Sequence, residues 1–238
     1  MADNWQQNST QTASSAQAKP IDEGLRIYML KVYNYMSLGL LFTALAAYFG
    51  ASSGIYQQIA QTPLIYVLMF APLGMVLWLS MRLHKMSAAG ARTMFFAYAG
   101  LLGLSLSYVL LVYSGVSVVR TFLVTAASFG ALSLYGYTTK RDLSGIGSFL
   151  IMGLFGIILA SIVNIFMQSS AMHLAISVMG VLIFAGLTAY DTQDIKRIYY
   201  ASDTREVAEK KAVMGALRLY LDFINMFLFL LQFLGNRD

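Results

Sequence analysis

The chain has 238 residues, of which 58% are apolar and only 11% charged, with 16 basic and 11 acidic side chains and a mean hydropathy of +0.64. Soluble domains carry roughly 25% charged residues, so this composition excludes a soluble globular domain and a disordered chain. The absence of cysteine excludes disulfides, thiolate metal sites and cysteine nucleophiles. What remains is an all-α polytopic membrane protein.

Residues 1–25 are polar and rich in Gln, Ser, Ala and Asn. They hold no apolar run of the kind a cleavable signal peptide needs, and read as a disordered cytoplasmic tail ahead of one transmembrane domain over 26–238. A helix needs about 20 apolar residues to cross the hydrocarbon layer. Seven stretches qualify: 32–50, 63–81, 93–113, 121–139, 147–167, 172–191 and 213–235. The seventh is set apart by Arg218 and Asp222 inside it.

Lys and Arg placement sets the expected orientation. The tail with Lys31, the segment 82–92, the turn 140–146 and the stretch 192–212 together hold 13 of the 16 basic residues. The alternate segments hold only Arg120 and Arg237. The amino terminus is therefore expected inside and, after seven spans, the carboxyl terminus outside. The same distribution argues against a nucleic-acid partner despite a pI near 9.3, because the excess charge is a topology signal that also attracts anionic headgroups. Small residues at four-residue spacing, Ala99 with Gly103 and Gly156 with Ala160, offer close helix contacts.

Ionisable residues at membrane depth are the informative ones, because each costs at least about 2.5–3.5 kcal/mol at a helix centre. Arg218, Asp222, Asn225 and Gln232 lie on one stripe of the seventh span. Such a stripe cannot face lipid, so this helix is expected at the centre, ringed by the other six. Arg218 and Asp222 are close enough in sequence to pair. Asp191 ends the sixth span, while Asp194 with Lys196 and Arg197 reads as a solvated face. Consecutive antiparallel helices are often neighbours, which would bring Asp191 towards Asp222. Two carboxylates in one poorly hydrated place cannot both be charged cheaply, so protons and a divalent cation would compete for the same oxygens. Calcium wants six to eight oxygens, and Asp191, Asp222, Asn225, Thr192, Tyr220, carbonyls and water are the candidates. At 1.5 Å per residue, however, Asp222 sits well below Asp191 unless the seventh helix tilts or begins well before residue 213.

Other chemistries find no support. His84 and His173 fall on opposite sides, and no H-E-x-x-H, Walker A or G-x-G-x-x-G motif is present. Ser128, Ser161 and Ser177 have no histidine to activate them. An enzyme is not expected, and neither is a resident cofactor.

Three stretches carry a resemblance: GYTTKRDLSGIGSFLIMGLFGIILASIVNIF at 136–166, FAGLTAYDTQDIK at 184–196 and LYLDFINMFLFLLQFLGNRD at 219–238. The sequence resembles the transmembrane Bax inhibitor motif family, in its bacterial Bax inhibitor/YccA-like branch. The resemblance implies a last helix wrapped by six others, a bacterial inner-membrane location and a pH-sensitive calcium leak governed by two aspartates, matching Asp191 and Asp222. It also implies an arginine latch from the inner end of the second helix, for which Arg82 is the candidate and Lys85 the alternative; Arg218 is a competing partner. A rival reading, also alive for the family, is a non-conducting regulator that binds membrane proteins such as a protease or stress-response complex.

Overall fold

The computed structural model describes residues 3–82 and 85–236, with side-chain surroundings from residue 23 onward. The tail expected over 1–25 lies, through residue 22, outside the residues whose surroundings are described, as does His84. Backbone amides in a bilayer must be satisfied within their own segment, and the described chain answers with helices. Seven are long and apolar enough to cross: α1 (Glu23–Ser52, the latter part of a helix Asp3–Ser52), α2 (Leu64–Arg82), α3 (Ala88–Val112), α4 (Gly115–Thr138), α5 (Ser144–Met167), α6 (Ser170–Arg197) and α7 (Arg205–Leu234).

Local chemistry explains where they start and stop. Ser87, Ser114, Ser169 and Thr204 each stand just ahead of a span, and their hydroxyls accept the backbone N–H three residues on, at 3.1–3.3 Å. Gln168, with φ 50°, takes the left-handed conformation that ends α5, and the Asn164 side chain accepts the N–H of Ser169 at 3.1 Å. α5 and α6 are therefore joined by two residues. Pro72 lies inside α2 and is buried, while α3 tightens into a 3₁₀ turn at Leu106–Tyr108 near its end.

α7 is the central helix. Ala212, Val213, Ala216, Leu219, Tyr220 and Met226 are all fully buried on it, and no other span approaches that degree of enclosure. The ring around it is uneven. α1, α3, α4 and α6 pack closely on α7, whereas α2 leans on α3 and α5 leans on α6. Close approach comes from small residues. A Cβ on Gly103 would strike the carbonyl of Thr43 on α1, and one on Gly136 would strike that of Ala189 on α6. The two sequence pairs thus part company: Ala99 and Gly103 sit in a tight seam, but Gly156 faces open space. The first turns of α1 and the end of α7 lie at opposite ends of the bundle. Lys31 pairs with Glu209 and Tyr28 lies against Tyr199 at one end, while at the other the Asn236 carbonyl accepts from the Ser114 N–H and the Asn236 N–H donates to the Ser117 hydroxyl.

Candidate functional site

α6 and α7 run antiparallel in a register that can be followed pair by pair. Ile195 lies over Gly215, Asp194 binds Arg218, Asp191 meets Asp222, Gly180 receives the ring of Phe229, and Ser177 bonds Gln232. The depth problem raised by the sequence is resolved by the length of α7. Its first eight residues, Arg205–Ala212, are helical though charged, so the membrane-crossing part slides past the end of α6 and carries Asp222 level with Asp191. Thr204 as cap and Glu206 in the first turn were the signals for that earlier start.

The polar stripe of α7 therefore turns towards α6 and the gap beside α5. The carboxyl groups of Asp191 and Asp222 come within hydrogen-bonding reach of each other. Asp222 is 4% exposed, and its Oδ2 has no hydrogen-bond partner. Arg218 donates to Asp194 at 2.5 Å and stands close enough to act electrostatically on both members of the carboxyl pair. Asn225 donates its amide to the carbonyl of Leu221 at 2.8 Å, which leaves its oxygen uncommitted. On α1, the buried Tyr28 hydroxyl is unpartnered and lies within the field of Arg218 and Asp194.

These groups line one side of a cavity of about 740 Å³ in the gap between α5 and α7. Asp191, Asp194, Arg218, Asp222 and Asn225 share its wall with Ile, Leu and Phe side chains of α5, α6 and α7.

Several expectations are corrected here. Arg218 pairs with Asp194 rather than with Asp222, so Asp194 belongs to the site and not to a solvated face. The three-residue step from Asp191 to Asp194 puts both on one face of α6, and that was the missed signal. Lys196 instead reaches the carbonyl of Tyr137, and Arg197 goes to Asp142 and Ser144. Thr192 bonds Ser133, which also meets Tyr33, and Tyr220 bonds Thr43 at 2.6 Å, so two proposed oxygen ligands point away from the pair. Arg82 ends α2 exposed, and α2 packs on α3 rather than on α6, so neither Arg82 nor the exposed Lys85 is brought to Asp191. Among the described residues no cluster of three or more Asp, Glu or His is disposed to hold a metal.

Seven membrane-length helices around a buried polar seam define a polytopic helical membrane protein. The chain belongs to the Bax inhibitor family: residues 25–238 match the family described as "Inhibitor of apoptosis-promoting Bax1". It is 47% identical to the inner membrane protein YbhL of Escherichia coli (strain K12) over 90% of this chain and 93% of that protein. It is also 51% identical to an uncharacterized protein of Rickettsia prowazekii, covering 94% of this chain and 95% of the other. An uncharacterized protein of Deinococcus radiodurans is 43% identical over 97% of this chain.

Proposed function

We propose that this protein is a passive, proton-modulated cation leak of the bacterial inner membrane, carrying calcium, with Asp191 and Asp222 as its gate. The inner-membrane location rests on the name of its Escherichia coli relative and on the seven spans. The gate rests on one observation: two carboxyls from different helices meet at the wall of a cavity, one of them buried with an oxygen left unbonded. Carboxyl groups at hydrogen-bonding distance hold together when one carries a proton and repel when neither does. Protonation thus closes the pair, and loss of the proton opens an anionic site to a cation.

Calcium is the substrate of this step, not a resident cofactor. The carboxyls and the Asn225 oxygen supply part of its coordination and water the rest. Arg218, anchored by Asp194, acts as the standing counter-charge of the pair. No covalent chemistry is involved, and the protein is proposed not to be an enzyme.

Calcium entry into proteoliposomes tests the reading. The parent is expected to change its rate between about pH 6 and pH 8, and Asp191→Asn and Asp222→Asn to lose that dependence. Unchanged pH dependence in both variants removes the two-carboxyl gate.

A second reading draws on the family's description, which names an inhibitor of another protein. A regulator of membrane-protein partners would act through the polar tail and the basic loops. Deleting residues 2–20 would then abolish partner binding, and no calcium flux would be seen at any pH.

A further inference from the structure

Calcium transfer leaves most of the α5–α7 cavity without a purpose. An inorganic cation is held by oxygen and water, but Leu154, Ile157, Ile158, Ile162, Phe184 and Leu187 provide a long aliphatic and aromatic wall. The charged groups are gathered on one side, at Asp191, Asp194, Arg218 and Asp222 with Asn225 beside them, while α5 adds a single hydroxyl, Ser161. Ile158 and Ile162 are 47% and 49% exposed on the outer surface of α5, so the cavity opens sideways among the apolar spans. Its volume of about 740 Å³ is that of a pocket for a small organic molecule.

The charges are equally particular. Three carboxyls, Asp191, Asp194 and Asp222, face a single guanidinium, and Arg218 is already committed to Asp194 at 2.5 Å. The surplus is negative. Asp222 Oδ2 is buried and unbonded, Asp191 stands beside it, and Asn225, whose NH2 donates to the Leu221 carbonyl, keeps its oxygen as an acceptor. Asp191, Asp222 and Asn225 thus stand on one wall of a largely apolar space, and a primary ammonium has three donors to offer them.

We propose that this cavity binds a lipophilic primary amine that enters from the hydrocarbon layer, with the ammonium on Asp191, Asp222 and Asn225 and the apolar body along α5. An anionic amphiphile is repelled by the carboxyls, and a neutral alcohol leaves the charge of the site unanswered. The proposal uses the same carboxyl pair as the leak but does not depend on calcium passing it. A bound amine would occupy the gate, so that amine and calcium exclude each other.

Native mass spectrometry of the full chain in detergent micelles, with decylamine, decanol and decanoate as probes, reads binding without flux. Decylamine is expected to form a one-to-one adduct at concentrations about tenfold lower than decanol, and decanoate to form none. Asp222→Asn should erase the advantage of decylamine over decanol. Leu154→Trp, which narrows the apolar wall and leaves the carboxyls in place, should weaken both adducts. Asp191→Asn replaces Asp222→Asn if the latter is not monodisperse, and Ile158→Trp likewise replaces Leu154→Trp. Equal binding of decylamine and decanol to the parent, or undiminished decylamine adduct in the carboxamide or tryptophan variant, overturns the proposal. Flux after reconstitution of the same preparations into proteoliposomes separates the two readings. Selective amine binding without calcium entry removes the leak alone, and pH-dependent entry without amine selectivity removes the amine site alone.

Discussion

The two faces of α7 are built on opposite plans. Towards α1 and α3 the helix presents Tyr220, whose ring meets the edges of Phe95 and Tyr98 at 5.7 and 5.9 Å and whose hydroxyl bonds Thr43. Thr43 in turn donates to the carbonyl of Ala99 and sits where Gly103 lets the backbones close up. Towards α6 and α5 the same helix presents Arg218, Asp222 and Asn225, with a cavity beside them and a carboxyl oxygen left over. The first face is filled and bonded, and has one arrangement. The second keeps unspent charge and space, which a ligand or a proton can change at little cost to packing. Stability and responsiveness are thus divided between two sides of one helix.

The difference can be broken at its strongest point first. Tyr220→Ala should cost about 3–5 kcal/mol, as truncations of buried aromatic side chains do, and is measured as a drop in thermal stability in detergent. Gly103→Val should cost about 1–3 kcal/mol or more, because the new side chain meets backbone that cannot yield. Gly156→Val, with nothing near its Cβ, should stay within about 0.5 kcal/mol of the parent. Equal losses at the two glycines would contradict the uneven ring. Asp222→Asn should move stability by less than about 1 kcal/mol in either direction, since the Oδ2 it replaces makes no hydrogen bond that would be lost, yet it should abolish the pH response of flux. A large loss of stability would show that the carboxyl face is structural after all.

The smallest effect concerns the loop between α4 and α5. Asp142 accepts from the Ser144 backbone at 2.9 Å and pairs with Arg197 at 2.8 Å. These contacts, the Ser144 bonds first, lower its pKa to about 2. A lowered folded pKa means that the contribution of the contacts is complete above the ordinary aspartate range and is lost as pH falls towards about 2. Between pH 6 and 8, Asp142→Asn should therefore leave the pH profile of the protein unchanged. A shifted profile would place part of the response outside the α6–α7 seam.

Much of this was legible from residue order. The seven spans follow from apolar length and the central place of α7 from the cost of putting charge in hydrocarbon, and the same cost singled out Asp191 and Asp222 as candidates. The four Ser and Thr caps were equally readable and would have moved the starts of four spans outward. The cavity was not readable. α5 is the most hydropathic span and 11% buried, yet nothing in its composition says that it leans on α6 and stands off from α7.

Periodicity along a helix decides which residues share a face, and so the chain alone determined that Arg218, Asp222, Asn225 and Gln232 would turn the same way. Which partner each one finds is a matter of the axial slide and rotation between helices. Those are set by where small residues admit a neighbour, as Gly136 admits the backbone of Ala189 and Gly215 the side chain of Ile195. Only the assembled bundle could give Arg218 to Asp194, leave Asp222 to Asp191 and open a space beside them.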